Sequence, residues 1–182
     1  MTSFEAQPET GRGRAIYEML LGVHGMIRRD LERIERLAEE VVDGLPVHDL
    51  REELRDIKRG GILWQLQVNC LRYCSFVHSH HNAEDGDFFS ELRETNPALN
   101  PVVDRLQADH RRVSDDLDAV EAAARGLAED DSQWARKAVV DALQALGEKL
   151  LAHLDYEELS IESTVRRLRD GTMTGVSEGE GG

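Results

Sequence analysis

The stretch FVHSHHNAED, residues 76–85, places His80 four residues before Glu84. A second stretch, LLAHLDYEEL, repeats that spacing with His153 and Glu157. Side chains four residues apart lie on one face of an α-helix, about one turn from each other. Each stretch therefore predicts an imidazole and a carboxylate that project together from one helix.

The rest of the chain surrounds these two stretches with helical patterns. Apolar residues recur at three- and four-residue steps in four long segments, which is typical of helices that pack side by side in a bundle. The four helices are expected from about Gly13 to Val42, from near Asp49 to Thr95, from Asn100 to Leu127, and from Asp131 or Ser132 to Arg169. The sequence thus predicts an all-α domain over residues 13–170, with a flexible amino terminus at 1–12 and a disordered tail at 171–182.

Both His-x-x-x-Glu pairs fall on the apolar stripe of their helices, so both carboxylates are expected in the core. A buried carboxylate is costly unless its charge is compensated, and two facing carboxylates repel each other. A cation between them removes both penalties. His110 lies on the stripe of the third helix and His24 lies beside that of the first. Every helix of the expected bundle therefore offers a histidine to the interior.

Each of these residues taken alone has a simpler explanation. A single histidine on an apolar face is more often a core residue than a metal ligand, and an i,i+4 His and Glu pair is common as a surface ion pair. Two such pairs, with an inward histidine on each remaining helix, are much rarer and indicate a metal site. Imidazoles with bridging carboxylates suit iron, with manganese or zinc as alternatives, and two bridging glutamates imply two ions.

Composition excludes several other classes of function. The formal net charge of −14 disfavours nucleic acid and anionic membranes as partners, because both require clustered Lys and Arg. No apolar run approaches the roughly 20 residues that span a bilayer, and the first residues lack a secretory signal, so we expect a cytoplasmic protein. Cys70 and Cys74 are expected to be small core residues, because side chains four apart on a helix do not align for a disulfide.

The order of these motifs resembles a known family. The segments LGVHGM, HHNAE, ADHRR and HLDYEE follow the pattern H…HxxxE…H…HxxxE of hemerythrin-like, or HHE cation-binding, domains, over about residues 14–169. The resemblance implies an up-down-up-down four-helix bundle around a non-haem diiron centre with an oxo or hydroxo bridge. It also implies the metal ligands, which are His24, His80, Glu84, His110, His153 and Glu157.

The departures from the family pattern bear on ligand binding. Oxygen-carrying hemerythrins have a second histidine four residues after the third-helix histidine, where this chain has Ser114. One imidazole is therefore missing, and about one coordination position per iron is expected to stay open. His81 is a candidate for a further ligand or for an outer contact. Tyr17 and Tyr73 are core residues in the simpler interpretation, or phenols near the metals in the other.

The number of open coordination positions on the two irons decides between two expected functions. Adjacent open positions on both irons favour catalase-like disproportionation of hydrogen peroxide, which is the leading expectation. A single open position favours a non-enzymatic protein that binds or senses dioxygen, nitric oxide or iron. A bundle with structural zinc, or a small-molecule binder without a redox metal, is the third interpretation. The expected partner is a small diatomic or peroxide ligand, and the oligomeric state does not follow from the sequence.

Overall fold

The computed structural model describes residues 8–42, 62–127, 129–130 and 132–169. Those residues contain four long helices, one short helix and no strand, which confirms the all-α prediction. The helices are α1 (Gly11–Val42), α2 (Ile62–Ala83), α3 (Phe89–Thr95), α4 (Asn100–Gly126) and α5 (Gln133–Val165). The expected helix start at Asp49 and the expected disordered tail lie outside the described residues, as does His48, which the sequence places in a loop.

The long helices form a closed up-down-up-down bundle. Helix α5 packs between α1 and α4, and α2 packs against the same two helices from the other side. The start of α1 meets the end of α5, where the Thr10 amide donates to the Arg166 carbonyl at 2.9 Å. At the other end, Arg136 donates to the carbonyl of Val41 at 3.2 Å. Neighbouring helices are therefore antiparallel, as the resemblance implies.

The helix ends agree with the sequence signals in one case and differ in another. The Ser132 hydroxyl caps α5 by accepting a hydrogen bond from the Ala135 amide at 3.2 Å. The sequence Asn100-Pro101 at the start of the third apolar stripe predicts Asn100 as a helix cap, but Asn100 is already helical and does not cap α4, so this prediction is wrong. The reason is the short 3-10 turn before α4, where the Asn96 side chain accepts from the Ala98 amide and starts the helical path earlier.

The second predicted helix is interrupted directly after its His-x-x-x-Glu pair. A wide turn of π type spans Glu84–Phe88, and Gly86 leaves helical geometry with φ −77° and ψ −116° before α3 resumes. The apolar pattern predicts one continuous helix as far as Thr95, and this prediction is wrong at the turn. The wide turn starts at Glu84, so the residues after it do not follow the ideal helical repeat.

The core consists of two apolar clusters with a polar layer between them. The larger cluster includes Ile27, Leu66, Leu117 and Leu150, and it contains the buried Cys70 and Cys74 as predicted. The smaller cluster includes Tyr17, Phe89, Leu106 and Ile161. The polar layer comprises His24, His80, His81, Glu84, His110, His153 and Glu157. Within the described ranges, no helix is both long and apolar enough to cross a membrane.

Candidate metal centre

Each of the four long helices directs side chains into the polar layer. His24 comes from α1, His80 and His81 from the end of α2, His110 from α4, and His153 from α5. All are buried except His80, whose side chain is 9% exposed. Glu84 follows α2 directly, and Glu157 lies one turn after His153. The six residues predicted from the motifs, and His81 with them, lie together in one layer.

Two histidines form one half of the layer, which we call the His24 half. The Nε2 atoms of His24 and His80 are 3.1 Å apart, and the Nε2 atom of His80 is 3.2 Å from Oε1 of Glu84. Two ligand atoms at right angles, each about 2.1 Å from an ion, are separated by about 3 Å. These nitrogens are therefore spaced as two adjacent ligands of one ion would be.

Three histidines, His81, His110 and His153, form the other half, which we call the His110 half. The rings of His81 and His110 stack with centroids 4.0 Å apart, and the ring of His153 meets that of His110 edge-on at 4.7 Å. One ring nitrogen from each of the three lies within 4.8 Å of the others. The structure thus gathers three imidazoles where the motif alone provides two.

The two glutamates contact both halves. Glu84 directs Oε1 toward His80 and places Oε2 3.6 Å from Nε2 of His110. Oε2 of Glu157 lies 3.6 Å from Nε2 of His24 and 3.7 Å from Nε2 of His153. Both carboxylates are therefore placed where they could bridge two ions, one in each half.

The donor atoms of the layer fit a cation. Among the described residues, both oxygens of Glu84 and of Glu157 are buried without a hydrogen-bond partner, as are Nε2 of His81, Nε2 of His110 and both ring nitrogens of His153. Buried polar atoms are nearly always satisfied, so a group of orphaned oxygens and nitrogens at one place needs an explanation. Metal ions accept electron pairs from these donor types, and two ions would satisfy the set except for one ring nitrogen of His153.

Burial also determines the protonation of these groups. It lowers the pKa of His80 to about 3, with neighbouring imidazoles as the next cause, and it lowers the pKa of His110 to about 3 and that of His153 to about 4. The imidazoles are therefore neutral near pH 7, which is the form that binds metal. Burial and nearby carboxylates raise the pKa of Glu84 and Glu157, so without a cation these carboxyls tend to hold protons.

Two carboxylates outside the layer orient two of the histidines. Nδ1 of His24 lies 2.9 Å from Oε1 of Glu158, which also accepts a 2.7 Å hydrogen bond from Arg28. Nδ1 of His110 lies 2.9 Å from Oδ1 of Asp85. Such partners fix the tautomer and ring orientation of metal-binding histidines.

The motif analysis missed these two partners, although the sequence carries a signal for them. Asp85 directly follows Glu84, and Glu158 directly follows Glu157. Glu158 points about 100° away from Glu157 around α5 and reaches His24 on α1. Asp85 lies in the wide turn Glu84–Phe88 and reaches His110 on α4. An acid immediately after the glutamate of each His-x-x-x-Glu pair is therefore a usable sign of this arrangement.

The remaining candidates lie away from the donor atoms. The Tyr17 hydroxyl donates to the Glu158 carbonyl at 3.2 Å, and the Tyr73 hydroxyl donates to the Ile27 carbonyl at 3.4 Å. Burial raises the pKa of both phenols, so neither tends to become a phenolate. Ser114 lines a small opening beside His81 and His110.

Comparison with known proteins identifies the family. A sequence profile described as the hemerythrin HHE cation binding domain matches residues 15–164, which covers most of the chain. No curated protein and no solved structure gives a significant match. The chain belongs to the hemerythrin HHE family, a family of metal-binding and commonly iron-binding domains, as the sequence motifs predict.

Proposed function

We propose that this member of the hemerythrin HHE family holds two iron ions in its polar layer and reversibly binds a small diatomic ligand, dioxygen or nitric oxide. The ligand would occupy a single open coordination position in the His24 half. The observation that carries the proposal is the unequal number of imidazoles, two in the His24 half and three in the His110 half.

The assignment of ligands follows the distances in the layer. His24 and His80 would hold one ion, and His81, His110 and His153 would hold the other. Glu84 and Glu157 would bridge the two, because each carboxylate lies within 4 Å of histidine nitrogens in both halves. His81, left open by the sequence, takes the place of the histidine that is missing at Ser114.

The number of donors leaves one vacancy. If each iron takes about six ligands, the His110 half supplies three nitrogens, two carboxylate oxygens and a shared solvent-derived bridge, which makes six. The His24 half supplies two nitrogens and the same shared groups, which makes five. When bound, an iron pair with one open coordination position would bind a small ligand reversibly by sharing electrons with it.

The protein groups around the layer support binding more than turnover. Apolar clusters lie above and below the layer and exclude water, which strengthens the interactions of buried charges. Glu158 and Asp85 hold one imidazole in each half in a fixed orientation. Among the described residues, the buried carboxyl groups are those of Glu84 and Glu157, and both would be metal ligands. No other buried carboxyl group in the described part of the chain is therefore left to transfer a proton during turnover.

Peroxide disproportionation, the leading expectation from the sequence, needs adjacent open positions on both ions. In this assignment His81 fills one of them. The ligand count therefore favours the binding or sensing alternative. The choice of iron over manganese or zinc rests on the nitrogen-rich donor set with bridging carboxylates and on the metals common in this family.

The test combines metal analysis with ligand titration. The purified protein is reconstituted with iron(II) without oxygen, its metal content per chain is measured, and its visible spectrum is followed during addition of nitric oxide and then of dioxygen. We expect about two irons per chain and one ligand per pair. One zinc and no iron would contradict the proposal. Vigorous oxygen release on addition of hydrogen peroxide would return peroxide disproportionation to first place.

A further inference from the structure

We propose a second binding site, for a small tetrahedral oxyanion of the phosphate class, in the cleft between α4 and α5 that lies directly outside His153. The cleft has a volume of about 200 Å³ and shares only His153 with the polar layer. At about 30 Å³ per water it has room for roughly six waters, enough for one such anion and its hydration.

Positive side chains dominate the cleft. Arg105, Arg112 and Lys149 line it, together with a single acid, Asp109. Asp109 lies 2.7 Å from Arg112 and 3.6 Å from Arg105, and it therefore holds the two guanidinium groups on the same side. Lys149 lies 2.7 Å from Asp116, so the three cations exceed the two acids that pair with them by one positive charge. Guanidinium groups match the oxygens of phosphate in shape and charge.

The floor of the cleft provides a second, independent indication of an anion. His153 lines the cleft and is 3% exposed, and its Nε2 faces Glu157 in the layer. Its Nδ1 is buried and has no hydrogen-bond partner in the described part of the chain. The corresponding nitrogens of His24 and His110 each have a carboxylate partner. His153 thus lacks the acceptor that the other two possess.

An oxyanion in the cleft would supply that acceptor. When Nε2 of a histidine binds metal, Nδ1 carries the proton and must donate it to an oxygen. Asp109 is close enough to act on His153 electrostatically, but it makes no hydrogen bond to the ring. A phosphate oxygen placed between the cations and the ring would accept the Nδ1 proton. A charged acceptor makes the imidazole a stronger donor to its metal, so anion binding would change the properties of the metal pair.

The link to the metal rests on the proposed function, whereas binding of the anion does not. Inorganic phosphate is the probe, and its affinity is measured by calorimetry in the metal-loaded protein. We expect the double variant Arg112→Gln and Lys149→Gln to weaken phosphate binding at least tenfold. A phosphate monoester titrated in parallel distinguishes a free anion from the phosphoryl group of a larger molecule, and tight binding of either supports the site.

The control removes the same charge from the same two helices. Arg125 and Lys137 are exposed and each pairs with an acid four residues away, on α4 and α5 respectively. Arg125→Gln with Lys137→Gln should leave phosphate affinity within about twofold, because both lie some 18 to 20 Å along their helices from the cleft residues. Surface pairs contribute little to stability, so both double variants should fold, which a melting curve verifies. Equal phosphate affinity in all three proteins, or equal losses in both variants, would overturn the proposal.

A spectrum of the iron-loaded protein tests the link to His153. Phosphate should shift the visible absorption over the same concentration range in which calorimetry detects binding, and the Arg112 and Lys149 variant should require at least tenfold more. A shift that is unchanged in that variant would show that phosphate acts at the metals themselves and would overturn the cleft assignment. Failure to bind nitric oxide or dioxygen, with phosphate binding intact, would instead reject the proposed function alone.

Discussion

The two halves of the polar layer are built from the same residue types, yet they differ in number and in support. The His24 half has two imidazoles, and His24 is anchored by Glu158 and Arg28 at the surface. The His110 half has three imidazoles packed ring against ring. The difference arises because α2 supplies two consecutive histidines, one to each half, while α5 supplies its histidine to only one.

The positions of the neighbouring helices, as well as the motif spacing, decide which residues meet in each half of the layer. His80 and His81 are about 100° apart around α2. Helix α1 lies on one side of them and α4 on the other, so His80 meets His24 and His81 meets His110. Under the proposed ligand assignment, a vacancy for an external ligand would remain only in the half with fewer nitrogens.

The largest effect is expected from removing a residue that both halves share. Glu157 is completely buried and contacts a histidine in each half. Glu157→Ala should reduce iron from about two per chain to near zero, because both ions lose one of their two bridging carboxylates. The substitution should lower the melting temperature of the iron-loaded protein more than that of the metal-free protein, since the buried carboxylate stabilises the fold only together with its cation.

Metal analysis and melting curves check this prediction. Glu162→Ala is the control, because Glu162 lies on the same helix but pairs with Arg166 near the surface. It should retain two irons. Unchanged iron content in Glu157→Ala would show that the halves do not share this ligand.

The next effect concerns one half only. His81→Ala should weaken the iron affinity of the His110 half at least about 100-fold, because that half then has two imidazoles. The iron affinity of the His24 half should stay unchanged. His78→Ala is the control on the same helix, since His78 faces Asp118 outside the layer. Titration with a competing chelator measures both affinities. Two tightly held irons in His81→Ala would show that His81 is not a ligand. Each half would then have two imidazoles, and each ion would have an open position.

Metal affinity should rise with pH for a reason common to both halves. The buried Glu84 and Glu157 have raised pKa values and hold protons without metal, whereas the imidazoles, with pKa values of about 3 to 4 for His80, His110 and His153, are already neutral. Loading both ions therefore releases one proton from Glu84 and one from Glu157. This release is expected between about pH 5 and the raised pKa values of these two carboxyl groups.

Under these conditions affinity for the pair should increase about 100-fold per pH unit. Calorimetry in buffers of different ionisation enthalpy counts the protons released. Glu84→Gln, which carries no such proton, should release one fewer. A count that does not change with this substitution would contradict the protonated state of Glu84.

A smaller effect should separate the two outer carboxylates. Glu158→Gln should weaken the ion of the His24 half, and Asp85→Asn the ion of the His110 half, each by about 10- to 100-fold. Only Glu158→Gln should also change nitric oxide affinity, because the open position belongs to the His24 half. Metal titration and nitric oxide titration on both variants check the assignment. Equal changes in nitric oxide affinity would place the vacancy elsewhere.

The smallest effect is expected at the position where the family pattern lacks its histidine. Ser114 lines the opening beside His81 and His110, and the His110 half already has three imidazoles. Ser114→His should therefore change iron content and ligand affinity by less than about twofold, within the range of surface substitutions. A new imidazole that displaces nitric oxide would show that the His110 half still has room.

The sequence predicts the bundle and six residues of the layer because helical period and motif spacing act within one helix. Ile27, Leu117 and Leu150, for example, follow directly from their apolar stripes. Features that depend on a second helix were missed or left open. The role of His81 depends on where α4 lies, and Asp85 depends on the wide turn at Gly86, which no periodic pattern contains.

The pair of apolar clusters implies an order in which the protein assembles. The larger cluster takes residues from all four long helices, and the smaller one takes residues from α1, α3, α4 and α5. Each has its own apolar contacts, so collapse of either cluster does not require a metal. The layer between them has neutral imidazoles and, without a cation, protonated carboxyls, and it adds little to that collapse. A metal would therefore enter a bundle that has already folded, in contrast to small domains that remain unfolded until their ion arrives.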